Sequence, residues 1–424
     1  MELYLMESGN AGLSSAAIKE AILQSIADKN LRRALIIPPD FTRFHSNAGF
    51  ITNVYYHALT ERGCEVDILP ALGTHKPVSR EEAAEMFGDV PFERFLTHNW
   101  RTDVVRLGEV PGSYLEEITE GLWKPPVSVE INKLLMDPGY DIILSPGQVV
   151  PHEVVGMANH AKNLFVGVGG SEMINTSHMV GAVYGMERMM GRADTPVRKV
   201  FDYALAHFLK DRPVLFVLTV TTAPGGNIHT HGLFIGEGRG PFEAAVELAR
   251  KKNLDVVEKP IKKCVVFLDP KEFKSTWLGN KAIYRTRMAI ADGGELIVLA
   301  PGVERFGEDD AVDLLIRKYG YCGRLKTLEL FEQNKDLQGN MGVAAHLIHG
   351  SADGRFKVTY AVKRISQGEI KSVLFNPWDY DEAVKTYDPG KLQYGWNTLE
   401  NGKEVYFIPN PALGLWIEPG RFQE

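Results

Sequence analysis

The stretch RALIIPPDFTRFHSNAGFITNVYYHALTERGCEVDILPALGTH, residues 33–75, decides the fold. RALIIPPD (33–40) is a short apolar run closed by prolines, the pattern of a buried strand. SNAGFITNVYYHALTERG (46–63) then repeats apolar residues at helical spacing, with Ser46 placed to cap it. EVDILPAL (65–72) is a second strand. The same alternation continues outward. SREEAAEMFG (79–88) reads as a helix with a Ser-x-x-Glu start, and YDIILSPG (140–147) and KNLFVGVGG (162–170) as strands. PVRKVFDYALAHFLKD (196–211) reads as a helix with proline in its first turn. Strands alternating with helices predict a mostly parallel sheet covered on both faces.

The pattern repeats beyond residue 262. KKCVVFLDP (262–270), GGELIVLAP (293–301) and VLFNP (373–377) are strand-like, while 275–292, 307–319 and 380–387 are helical. The fold class is α/β with two domains, each a mostly parallel sheet with flanking helices, and the active site is expected in the cleft between them. The predicted domains are 1–262 and 263–405, followed by an apolar tail, 406–424, packing back on the N-terminal domain.

Length and charge narrow the function. A chain of 424 residues is two or three domains long, and its 44% hydrophobic content is that of a soluble globular protein. A net charge of −7, without a basic patch, argues against a nucleic-acid partner. Cys64, Cys264 and Cys322 are too few and too scattered for a disulfide framework or a Cys-rich metal site. The N-terminus lacks a basic start followed by a long apolar run, and no stretch has the length of a membrane span. The expected location is the cytoplasm, with no membrane partner.

In open parallel sheets ligands sit beyond the carboxyl ends of the strands. That rule selects four loops: PPDFTRFH with Asp40, Thr42, Arg43 and His45; GTHKP with His75; PGQVVPHE with His152; and GVGGSEMINTSH with Gly167, Gly169, Gly170 and His178. Taken singly, each has an ordinary structural explanation; together, one arginine and three histidines at one sheet edge form a chemical constellation. The glycine run lacks Gly-x-Gly-x-x-Gly spacing, and neither a P-loop nor a Gly-x-Ser-x-Gly elbow occurs. His229 with His231, and His346 with His349, have metal-like spacing but no carboxylate companion, and read as structural.

The series PDFTR, GTH and PH, with Lys162 ten positions after His152 and His178 sixteen after Lys162, resembles the nickel-dependent lactate racemase family. Lys281, twelve residues before Gly293, matches a further family position. The resemblance runs from about residue 30 to 300. It implies a racemase or epimerase of a 2-hydroxy acid that works by reversible hydride transfer. Its cofactor would be a nickel-pincer nucleotide, nickel pyridinium-3,5-bisthiocarboxylic acid mononucleotide, covalently attached to Lys162, with His178 as nickel ligand. The resemblance further implies His75 and His152 as acid/base groups, and Arg43 and Lys281, with Trp277 nearby, as substrate-binding residues. Asp40, Thr42, Gly169 and Gly170 would serve the cofactor. Its partners would be the small hydroxy acid and the cofactor-building enzymes. Ahead of Lys162, where the family carries a glycine-rich run, this chain has Met157-Ala158-Asn159-His160-Ala161. Trp277 and Leu278 stand where lactate-specific members are more polar, which implies a 2-hydroxy acid with a different side chain, lactate-like or larger.

Two other readings stay open from sequence. One is a nicotinamide-dependent 2-hydroxy acid dehydrogenase, which needs a dinucleotide fingerprint. The other is a cofactor-free protein that binds a carboxylate or nucleotide.

Overall fold

The computed structural model describes residues 2–6, 9, 11–412 and 414–422. The last residues of the predicted tail, 423 and 424, lie outside them, as do residues 1, 7, 8 and 10 of the N-terminal stretch. The chain divides into two compact units. The first comprises residues 1–177 and 190–253, and the second 178–189 and 254–424.

The first unit is built on six strands: β1 (Leu3–Met6), β2 (Arg33–Ile36), β3 (Glu65–Ile68), β4 (Ile142–Gln148), β5 (Val214–Thr222) and β6 (His229–Gly236). Their order is β1-β6-β5-β4-β2-β3. Strands β5, β4, β2 and β3 run parallel, and β6 and β1 add antiparallel at one side. Ala34, Leu35 and Ile36 of β2 are buried on both faces, which is why the run is continuously apolar rather than alternating. The helix after β2, α1 (Ala48–Thr60), begins at Asn47, whose φ of 60° turns the chain; the Ser46 hydroxyl accepts from Ala48 N–H. The next helix, α2 (Arg80–Phe87), starts with the predicted capping box, Ser79 and Glu82 each bonding the other's backbone.

The second unit carries β7 (Ile261–Phe267), β8 (Ile290–Ala300), β9 (Lys357–Val362), β10 (Asn376–Asp379), β11 (Gly395–Thr398) and β12 (Glu404–Ile408), in the order β10-β9-β8-β7-β12-β11. All neighbours are parallel except β11 with β12. The expected α/β architecture with two parallel-rich sheets is therefore present. No helix among the described residues is long and apolar enough to cross a membrane.

Three expectations change. The tail belongs to the second unit: Tyr406, Phe407 and Ile408 pair with Cys264, Val265 and Val266, and Trp416–Ile417 pair with Asp255–Val256. An apolar strand satisfies its backbone best on an open edge, and β7 offers one. That pairing also moves the boundary from 262 to 253, because Asp255–Val256 go with the tail. The third change is KNLFVGVGG. Instead of a strand, Asn163–Gly167 form a π-helical turn, fully buried. A five-residue buried apolar run has no periodicity that separates the two.

Candidate functional site

Strand β2 leads to β3 on one side and β4 to the other, so the sheet reverses its direction of growth between β2 and β4. At such a switch point the loops diverge and leave a crevice. Asn163 stands across it, its Nδ2 donating to the Ile37 carbonyl (2.9 Å) past β2 and to Ser145 Oγ (3.0 Å) in β4. The loop after β3 joins in through Ala71 N–H to Pro38 O (2.8 Å) and Gly73 N–H to Gly167 O (2.8 Å). Three of the four predicted loops are thus bonded into one frame.

Asp40 is the hub of this frame. Its carboxylate is buried, with Oδ2 accepting from His75 Nδ1 (2.6 Å) and Oδ1 from the Thr42 hydroxyl (2.6 Å). Burial pushes Asp40 up, yet the hydrogen bond and charge of His75, the Thr42 hydroxyl and the charge of Arg43 together hold it below the ordinary carboxylate range. The His75 side chain remains 55% exposed. Asp40 and Thr42, expected to serve the cofactor, have a nearer task here: they hold the His75 ring with its proton on Nδ1, which leaves a lone pair on Nε2. His152 is held in the opposite sense. Its ring is buried, and its Nδ1 accepts from Val154 N–H (3.1 Å), so the neutral ring carries its proton on Nε2. The Glu153 carboxylate lies 3.9 Å from that Nδ1.

Lys162 leads directly into the π-helical turn. Desolvation first, then the positive charges of Arg43 and Arg198, bring its ammonium down to about 8 against the pull of Glu153 and Asp40. Arg43 favours the charged form of Asp40 and the neutral form of Lys162, while Asp40 acts on Lys162 in the opposite sense.

Gly169 and Gly170 are needed for close packing. A Cβ at Gly169 would lie 1.8 Å from the Phe165 carbonyl, and one at Gly170 2.1 Å from Glu130 Oε2. Gly170 N–H donates to Glu130 O (3.2 Å), and Gly169 O accepts from His98 Nε2 (3.0 Å).

His178 lies in α3 (Ser171–Tyr184) and is the first residue grouped with the second unit. Among the described residues no cluster of three His, Cys, Asp or Glu side chains is arranged to hold a metal. In the second unit, Trp277 and Lys281 stand four residues apart on successive helical turns, Thr276–Gly279 and Lys281–Tyr284, and so on one face. Lys281 Nζ is 5.8 Å from the Phe273 ring, and the Trp277 ring stacks on His346 at 4.2 Å.

The histidines read as structural have partners of that kind. His229 Nδ1 bonds Ala11 O, His231 Nε2 bonds Thr222, and His346 Nε2 bonds the Tyr321 hydroxyl (2.9 Å). The sequence reading missed Asn163 and Arg198, and took Asn159 and His160 only as a departure from the family's glycine-rich run. Arg198 had a signal: three residues before Phe201, it falls on the apolar face of its helix, where an arginine needs a buried partner.

Residues 11–190 match the family model for the lactate racemase N-terminal domain. That segment is similar to the N-terminal domain of lactate racemase. It contains Asp40, Arg43, His75, His152, Lys162 and His178. Two solved structures share the fold. A crystal structure of a Thermotoga maritima protein superposes with a TM-score of 0.80 at 24% identity, covering 97% of this chain and 99% of that one. The lactate racemase apoprotein of Thermoanaerobacterium thermosaccharolyticum superposes at 0.71 and 17% identity, covering 96% and 94%. No curated protein sequence matches the chain. The likeness in fold thus extends over nearly the whole length, while the match to the lactate racemase N-terminal domain covers the part that carries most of the predicted site.

Proposed function

We propose that this protein racemises or epimerises a 2-hydroxy acid. The observation that carries the reading is the Asp40–His75 pair, set at the sheet's switch point under the charge of Arg43, in the segment similar to the lactate racemase N-terminal domain. Arg43 offers a planar fork that suits a carboxylate, and Lys281 is the second cation assigned to it. His75, with its proton held by Asp40, takes the substrate hydroxyl proton at Nε2. His152, with its proton on Nε2, donates toward the substrate oxygen from the other side, and the roles reverse for the other enantiomer.

The hydrogen on the hydroxyl-bearing carbon is a poor acid, because loss of a proton there would place a carbanion beside a carboxylate. An imidazole is badly matched to remove it. The residues fit a nickel-pincer nucleotide: a lysine amine poised near 8 suits covalent attachment, and His178 suits a metal that arrives with its other donors. Such a cofactor, when bound, supplies a hydride acceptor, and the protein's own groups then move only oxygen-bound protons. The cofactor-building enzymes are the partners this reading requires.

A substrate deuterated at the hydroxyl-bearing carbon tests it. Inverted product that keeps its deuterium in ordinary water supports hydride transfer, and early washout of the label overturns it. Intact mass after co-production with the cofactor-building enzymes tests the attachment. A chain whose Lys162 gains no mass would instead be a carboxylate- or nucleotide-binding protein.

A further inference from the structure

Two of the five residues before Lys162 adopt a backbone conformation uncommon outside glycine. Asn159 and His160 have φ of 66° and 56°, two successive left-handed residues without a glycine between them. Each such residue is strained, and a pair persists only when its surroundings fix it.

The fixing groups are all in the first unit. Arg198, wholly buried in the helix Pro196–Phe208, donates from Nη2 to the carbonyls of Met157 (2.7 Å) and Asn159 (3.1 Å). Its guanidinium lies over the Phe242 ring at 4.2 Å. His160 is sandwiched by Phe216 and Phe242, at 3.9 and 5.3 Å between ring centres, and its Nε2 donates to Gly238 O (3.1 Å). The Asn159 side chain accepts the His160 N–H (2.7 Å). Beyond Lys162, Asn163 ties the π-helical turn to both central strands. Lys162 is thus gripped on either side, while its own side chain keeps partial access to solvent.

We infer that Arg198, acting through the left-handed Asn159–His160 turn, is the positioning residue that presents the Lys162 amine for covalent attachment. The turn does with Asn and His what a glycine-rich run would do without side chains, and the buried guanidinium provides the rigidity that such a run lacks. The positive charge of Arg198 also favours the neutral, nucleophilic form of the amine. The attachment itself belongs to the proposed function; the positioning does not depend on which acyl group arrives.

The test therefore uses a general acylating probe, a small N-hydroxysuccinimide ester, on the full chain near neutral pH. Peptide mass mapping follows Lys162 alongside surface lysines such as Lys385. Arg198→Met releases the Met157 and Asn159 carbonyls that hold the turn, and should slow labelling of Lys162 by about threefold or more while leaving Lys385 unchanged. If Arg198→Met does not fold, Asn159 gives a second arm. Asn159→Gly keeps the left-handed turn and should label within about twofold of the parent, whereas Asn159→Val, β-branched, cannot hold it and should label at least threefold more slowly. A folded Arg198→Met or Asn159→Val protein whose Lys162 labels at the parental rate overturns the inference. So does an Asn159→Gly protein that labels as slowly as Asn159→Val. Neither result bears on whether the cofactor is a nickel-pincer nucleotide, which intact mass decides separately.

Discussion

His75 in the first unit and His346 in the second are both held through one ring nitrogen, yet they are chemically opposite. His75 has a buried carboxylate behind it and is more than half exposed in front. His346 is buried, stacked on Trp277 and bonded to a phenol, Tyr321, which bonds Thr276 in turn. The Thr276 hydroxyl donates to Phe306 O (3.1 Å), so the chain of donors runs from His346 Nε2 outward through Tyr321 and Thr276. Burial, with the neighbouring His349, pulls His346 down to about 3, and the ring is neutral at every ordinary pH. A carboxylate partner and an open face equip an imidazole to move protons; a hydroxyl partner and full burial make it a flat polar filler. Position in a motif and partner chemistry agree for His75, and for His346 the structural reading agrees with its burial and its hydroxyl partner.

The largest effect should come from Lys162, the proposed attachment point. Lys162→Ala should abolish the covalent adduct entirely, read by intact mass, and an undiminished adduct would remove Lys162 from the proposed machinery.

His75→Ala should lower turnover by about 10²–10⁴-fold, the usual contribution of a general base, with little change in melting temperature because the side chain is half exposed. Asp40→Asn should move turnover in the same direction, since the ring is no longer held in one tautomer. A His346→Gln protein that lost as much turnover as His75→Ala would break the contrast between the two histidines.

Arg43→Ala should cost about 10–150-fold in turnover, the equivalent of a charged hydrogen bond. Steady-state kinetics with added guanidinium would sharpen this: partial rescue supports a carboxylate-binding role, and a destabilised protein without a kinetic defect supports pairing with Asp40 alone.

The last effect is on stability and separates the two units. His160 and His346 are both held near 3, well below the 6.5 of an unfolded histidine. Between those values the unfolded chain binds a proton that the folded one refuses. Stability should therefore fall as pH drops from about 6.5 toward 3, by about 1.4 kcal/mol per pH unit for each ring. Urea unfolding across pH 4.5–6.5 should show a shallower slope in His346→Gln, confined to the transition that reports on the second unit. An unchanged slope would mean that His346 is not held neutral.

What the sequence determined by itself was everything written in local pattern. Strand–helix alternation gave the α/β class, Ser79 with Glu82 gave a helix start, and the carboxyl ends of apolar runs located the loops that hold Asp40, Arg43, His75 and His152. Pattern works there because amphipathic spacing and capping act between residues a few positions apart. Tertiary structure alone decided the rest. KNLFVGVGG became a π-helical turn because Asn163 found its partners 126 and 18 residues away. The C-terminal strand joined the second sheet because β7 offered it an open edge. Asn159 and His160 took a glycine's conformation because Arg198, about forty residues on, holds the carbonyls of Met157 and Asn159. Partners at such distances leave no periodicity in the chain, since what selects them is the burial of polar groups that would otherwise go unsatisfied.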